Sequence, residues 1–492
     1  MAIATGMLLG ASALLLGLHY IHLRADFPQG SPWVDPARFT DEGWYAGAAI
    51  RQLLSGSWYL RGDFNPAVPL PVFPLLSYLL FRVTGVSVAA LRAMNVTFFA
   101  LTLLGLWQLL HRRVGAFPAA AAIFLCCCSP FYYAYSRLGI LEPLLALETV
   151  LVFLVALSVD CGPNRRRYLA ASIFAGVLLA TMVFTKTTGV CIVPAVLYLI
   201  FSRCNFNIRT AIRPWLVTLS TSMLLWAAYY ALLSHRGFGV DYHNLFAINR
   251  DRVHSSIVLS TLISAVREGA TIGTALYVIA IAASVLALLL VRRRSPLLVA
   301  SLIGIAGYGA FITYHGWLMP RYYIPSLPLV VIAVLVSLND LARSASSYQR
   351  ILAGTLGATL FVSTLPQIHT LLMWSRHPSY TYADAAGAIY QIIDKTADHP
   401  GNRVVLGPIS EDLALYTAEP GLFLNDLYST IPLRELIRLN QPGWFVSIMT
   451  LPPHDAGQLD GYAAPRLVAT QTAFGADGHT IYLYRLDPAP TH

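Results

Sequence analysis

The sequence predicts an all-α polytopic membrane protein with about eleven transmembrane helices, juxtamembrane helices in its first outer loop and a small α/β domain at its C-terminal end. Three observations carry this. Of the 492 residues 56% are hydrophobic and only 12% are charged, and the apolar residues gather in runs near the roughly 20 needed to cross a bilayer. Short loops between the runs are basic, as on the cytoplasmic side of membrane proteins. After Trp374 the runs stop, and strand-like and helix-like segments alternate.

The first run, Ala2–Ile21, lacks a basic leader and ends in HYIHLRAD, so it reads as a retained helix and not a cleaved signal. Further runs lie near 88–110, 116–134, 141–158, 168–184, 188–202, 212–233, 271–291, 296–313, 323–338 and 351–373. The basic loops are HRR at 111–113, NRRR at 164–167, the 203–213 segment, RRR at 292–294 and DLARSASSYQR at 340–350. With these runs as spans, every basic loop and the N-terminus fall on the cytoplasmic side. The segment PAVPLPVFPLLSYLLF at 66–81 is apolar but short and rich in proline. Were it to cross, all the basic loops would invert, so it is expected to be re-entrant or juxtamembrane. The outer face then holds 23–87, YSRLGILEP, FTKTTG, the 234–270 loop, YHGWLMPRYY and the tail.

Charge divides in the same way. Through Trp374 there are 26 basic and 12 acidic residues, and from Ser375 onward 7 basic and 12 acidic. The basic excess belongs to topology and gives no sign of nucleic acid. The six cysteines show neither metal-ligand nor disulfide spacing and read as small packing residues. The tail predicts helix 380–396, strand 403–406, helix 411–416, a short strand near Leu422, helix 433–439, strand 444–449 and strands near 466–472 and 480–486. It holds no phosphate-binding glycine pattern, so no catalysis is assigned to it. The expected domains are 1–374 in the membrane and 375–492 outside.

Charges beside hydrocarbon are functional candidates by default, because they are costly there. Asp41 and Glu42 follow Thr40, which would serve as an N-cap with the carboxylates in the first turn. Gly43, Ala46, Gly47, Ile50, Leu53 and Leu54 share one face, as in a helix lying on the membrane. Glu142 precedes Pro143 at a helix start, with Arg137 in the same turn. Lys186 is one of only two lysines against 31 arginines, and its compact ammonium suits a phosphate. Arg321 stands with Tyr322, Tyr323 and His315 at the outer start of a span, where an aromatic belt is the competing reading. Asp241 and His243 could ligate a metal, but two residues do not make a site.

An acidic pair in the first outer loop, then YSRLGILEPLL, FTKTTG and PRYYIPSLP, resembles the GT-C superfamily of membrane glycosyltransferases. The nearest look is the branch of protein O-mannosyltransferases and lipid A aminoarabinose transferases. The resemblance implies a GT-C-like fold and a catalytic role for Asp41. It points to Glu142 as a second acidic residue, where many members have Asp, and to Lys186 on the donor phosphate. Arg321, Tyr322 and His315 join the donor-phosphate group, with Glu42 and Arg137 in support. The implied donor is a polyprenyl-phosphate sugar, and the acceptor a lipid, glycan or protein hydroxyl. The implied place is the outer face of the cytoplasmic membrane. No metal is expected to be required, although a divalent ion is possible because its use varies across the superfamily. The competing class is a transporter or flippase, which would line a path with intramembrane charges. No internal repeat is seen, and Glu148 is the one acidic residue near mid-span.

Overall fold

The computed structural model describes residues 1–28, 35, 37–59, 66–159, 165–251, 258–273, 275–292, 294–315, 319–396, 403–423, 431–450, 465–474 and 478–486. The segment between α1 (Ala2–His19) and α4 (Val88–His111) contains α2 (Ala37–Ser55) and α3 (Val72–Thr84). The chain continues through α5 (Ala116–Cys127), α6 (Pro130–Ser136), α7 (Glu142–Ser158) and α8 (Arg165–Thr185). Next come α9 (Val193–Arg203), α10 (Ile208–His235), α11 (Gly239–Asp251), α12 (Val258–Gly273) and α13 (Ala275–Leu290). Then follow α14 (Pro296–His315), α15 (Leu327–Ala342), α16 (Ser347–Val362), α17 (Thr364–Arg376) and α18 (Thr381–Thr396). Tight 3-10 turns at Thr187–Ile192 and Pro320–Ser326 lead into α9 and α15.

Among the described residues seven helical stretches are long and apolar enough to cross a membrane, or eight if the bent α5–α6 pair counts as one. The chain is a multi-pass membrane protein. Every run read as a span falls on helix, and some are broken. Between α5 and α6 the axis bends by 66°, because Pro130 cannot continue the ladder and the Ser129 hydroxyl accepts from the Tyr132 N–H to start a new helix. The 66–81 segment yields α3, whose 13 residues reach only about 20 Å, short of a ~30 Å hydrocarbon core. It packs against α2 and α4.

Four expectations are corrected. Helix α2 begins at Ala37, so Thr40 lies inside it and the acidic pair sits in the second turn, where neither carboxylate is a helix-end device. Its Gly43–Gly47–Ile50 face is buried against protein, not laid on lipid; only Leu53 and Leu54 at its end are exposed. The 234–270 segment, read as a loop, is largely α11 and α12, since VLSTLISAVREG carries helical periodicity. Cys204 is disulfide-bonded, while Cys126, Cys127, Cys128 and Cys191 are free. Spacing in sequence could not show this.

The tail forms β1 (Val405–Gly407), α19 (Ser410–Thr417), β2 (Gly421–Phe423), α20 (Leu433–Asn440), β3 (Trp444–Ser447), β4 (Arg466–Ala473) and β5 (His479–Arg485). The sheet order is β2-β1-β3-β5-β4, parallel where β1 meets β2 and β3, antiparallel through β5. Trp444, Val446, Ile481 and Leu483 form its core with Tyr382, Ala386, Ile389 and Ile393 of α18. Helix α19 packs on this sheet and also docks on α2, which carries Asp41.

Candidate active site

The candidate cluster is assembled from four segments. Asp35 and Asp41 come from the α1–α4 connection and its helix α2, Glu142 from the start of α7, and Lys186 from the turn after α8. Arg321 opens the turn into α15. Its Nη1 lies 2.8 Å from Asp35 Oδ1 and 2.9 Å from Asp41 Oδ2, and its Nε is 3.8 Å from Glu142 Oε1. The Arg321 backbone N–H and the Tyr135 hydroxyl both donate to Asp35 Oδ2, each at 3.3 Å. Lys186 Nζ donates to Glu142 Oε1 and lies 4.9 Å from the centre of the Tyr322 ring, which Arg321 also faces at 5.6 Å. Three carboxylates thus surround two cations on an aromatic floor.

Burial makes these charges matter. Asp35 and Glu142 are 1% exposed, Asp41 7% and Arg321 8%. Loss of water pushes the Asp41 carboxyl above its ordinary range, against the pull of Arg321 and with a further push from Asp35 and Glu142. A carboxylate held in this way has greater proton affinity than an exposed one. Glu142 Oε2 is buried without a hydrogen-bond partner, so that one oxygen can still accept.

Glu42 does different work. Arg92 donates through Nε to Glu42 Oε1 at 2.8 Å and through Nη2 to Oε2, while the Gly139 N–H reaches Oε1 at 2.6 Å. The same guanidinium donates to the Leu23 and Ala25 carbonyls and to the Tyr416 hydroxyl of α19, the last at 3.1 Å. Glu42 therefore fastens α2 to α4, to the turn before α7 and to α19. On the next turns α19 presses against two glycines. A Cβ on Gly43 would collide with the backbone of Glu411 and Asp412, and one on Gly47 with the Glu411 carboxylate. Gly43 N–H donates to Asp412 Oδ1 at 3.0 Å, and Arg51 pairs with Glu411 in a buried salt bridge.

The cluster thus brings together Asp41, Glu142, Lys186, Arg321 and Tyr322 of the residues singled out in sequence. Arg137 is not among them: its Nη2 donates to the Ile21 and His22 carbonyls at 2.8 and 2.5 Å, and its guanidinium stacks on Tyr133. His315 closes α14, with its side chain outside the described residues. Asp241 is buried in α11, and His243 accepts or donates with the Tyr230 hydroxyl at 3.2 Å. Among the described residues no three His, Cys, Asp or Glu side chains group as a metal site. Asp35, Tyr135 and Arg92 were missed. A charge in an apolar span was the available signal for Arg92; Asp35 and Tyr135 carried none beyond their outer position.

A family profile described as dolichyl-phosphate-mannose-protein mannosyltransferase matches residues 66–232. No curated protein matches the chain. Among solved structures, ArnT from Cupriavidus metallidurans bound to undecaprenyl phosphate superposes with a TM-score of 0.64 at 14% identity, covering 97% of this chain and 98% of that one. Its apo form gives 0.63 at 15% identity, with 98% of each chain covered. The archaeal oligosaccharyltransferase AglB from Archaeoglobus fulgidus, in complex with an inhibitory peptide and a dolichol-phosphate, gives 0.55 at 13% identity, covering 97% of this chain and 74% of that one. The fold therefore defines a class, the polytopic membrane proteins with the GT-C fold. Within it, this chain matches ArnT over almost the full length of both proteins.

Proposed function

We propose that this protein is an inverting glycosyltransferase that moves a sugar from a polyprenyl-phosphate carrier to an acceptor hydroxyl on the outer face of the cytoplasmic membrane. The observation that carries the reading is Arg321 linking Asp41 to a buried cluster that also holds Lys186 and Glu142. One carboxylate of raised proton affinity beside two cations is what such a transfer needs. The family profile and the lipid phosphates in the ArnT and AglB structures support the donor class.

In this reading Asp41 accepts the acceptor's hydroxyl proton as the oxygen attacks the anomeric carbon. A new C–O bond forms opposite the carrier, and the bond from that carbon to the phosphate oxygen breaks. The electron pair leaves on the polyprenyl phosphate. A phosphate with a second pKa near 6 needs charge stabilisation more than a proton. Lys186 and Arg321 supply it, exchanging part of their contact with carboxylates for the phosphate. Asp35 and Tyr135 keep Arg321 in place, and the accepting oxygen of Glu142 positions the acceptor through a donor group other than the attacking hydroxyl. No metal is required, because the two cations meet the developing charge.

The test is incubation of the purified protein in lipid nanodiscs with sugar-labelled polyprenyl phosphates and with nucleotide sugars, acceptor membranes being added. Cleavage of a lipid-linked donor with label transfer, and inert nucleotide sugars, is the expected result. Movement of an intact lipid-linked sugar across the bilayer without cleavage would identify a flippase instead.

A further inference from the structure

Arg137 remains unexplained by the reactive cluster, and its surroundings are unusual. It lies at the end of α6, nine-tenths buried, in the wall of a cavity of about 220 Å³. Its described partners are two backbone carbonyls and the face of Tyr133; among the described residues no carboxylate pairs with it. Asp26 shares the wall, but its oxygens accept from the Ser379 hydroxyl, from the N–H and hydroxyl of Thr381, and from the Tyr382 N–H. Its charge is thereby turned to the first turn of α18. A buried guanidinium without a counter-ion is costly, and an anion entering beside it removes that cost. His22 and His377 stand exposed at the mouth of the same cavity, and Trp374 forms a further side.

We propose that this cavity is a second binding site, for the phosphate of a lipid headgroup. Arg137 would serve as its counter-ion, His22 and His377 as donors at the mouth. Guanidinium donors match phosphate oxygens in geometry and charge. The cavity lies where α1 and α17 end, and Trp374, half-buried on its wall, is a residue type that settles at the headgroup level of a bilayer. This places a lipid headgroup within reach without its leaving the membrane. None of the lining residues belongs to the Asp41 cluster, so the site is separate from the one proposed for transfer.

The test is equilibrium binding to the purified full chain in detergent, read by titration calorimetry and independent of any sugar transfer. The probes are dihexanoyl phosphatidylglycerol, inorganic phosphate and uncharged dihexanoylglycerol. Phosphatidylglycerol is expected to bind and dihexanoylglycerol not to bind. Arg137→Gln, which keeps a polar side chain but removes the charge, is expected to weaken binding by about ten-fold or more. His377→Ala changes an exposed ring and is expected to weaken it by about two- to five-fold. Inorganic phosphate binding as tightly, with the same dependence on Arg137, would support the anion site and make free phosphate its source. Wild-type affinity in both variants, or equal binding of the uncharged lipid, would overturn the proposal. If Arg137→Gln does not fold, His377→Ala decides by itself: unchanged affinity there overturns the site.

Discussion

Asp41 must ionise to act as a base, yet burial favours its neutral form. The two facts fix a pH dependence. On the proposed mechanism activity requires the carboxylate, so kcat/KM is expected to fall as pH drops through a value above the ordinary 3.8, and Asp41→Asn to show no such limb in its residual rate. The amide keeps the shape but cannot take the proton, so transfer falls by about 10²- to 10⁴-fold, the usual span for a general base. Stability runs the other way. A folded-state pKa raised above the unfolded one stabilises at low pH, and that contribution is lost as pH rises through the folded value. At pH 8 the asparagine variant is therefore expected to melt no lower than wild type, as scanning calorimetry would show. Lys186→Met should weaken binding of a short-chain polyprenyl-phosphate sugar by about ten- to a hundred-fold, and Lys186→Arg should recover part of it. The free alcohol, lacking phosphate, should bind both variants as it binds wild type. These residues were legible because each is a charge in an outer turn of a chain with few charges. Arg137 shared that signal and still belongs elsewhere. Two positions in a helical turn differ by about 200°, so Tyr135 faces Asp35 while Arg137 faces the end of α1.

At the scale of elements, the contact between α19 and α2 gives the tail a role in positioning. The two glycines let the helices approach, and the Asp412 and Arg51 contacts fix their register. Gly47→Val would drive a side chain into the Glu411 carboxylate and move α19 away. The expectation is a fall of about 10²-fold in kcat with donor affinity within about three-fold of wild type, since a shift near 1 Å suffices for such a loss. Paired turnover and donor titration would check it; wild-type kcat would mean the domain only covers α2. The helices and strands themselves were readable, from tail alternation and from apolar runs. The docking face of α2 was not, because Gly43, Ala46, Gly47 and Ile50 look alike whether they meet lipid or another helix. Only the partner distinguishes them, and the partner Asp412 lies 369 residues beyond Gly43.

At the scale of the molecule, the basic loops and the cluster lie on opposite sides of the proposed membrane arrangement. A cysteine at Gly478, directly before β5, should react with an impermeant thiol reagent in cells with permeabilised outer membranes, and one at Ala345, between α15 and α16, should not. The reverse pattern would invert the topology. Transfer should also survive chelation of divalent ions by EDTA, because Lys186 and Arg321 supply the positive charge. The central claim, that Asp41 takes the proton as a lipid phosphate leaves, is tested most directly by single-turnover cleavage of the active polyprenyl-phosphate sugar. Wild type and Asp41→Asn would be compared with acceptor at saturation. The account predicts release of polyprenyl phosphate by wild type and a rate at least about 10²-fold lower in the variant, with donor binding retained. Equal rates in the two proteins would contradict it.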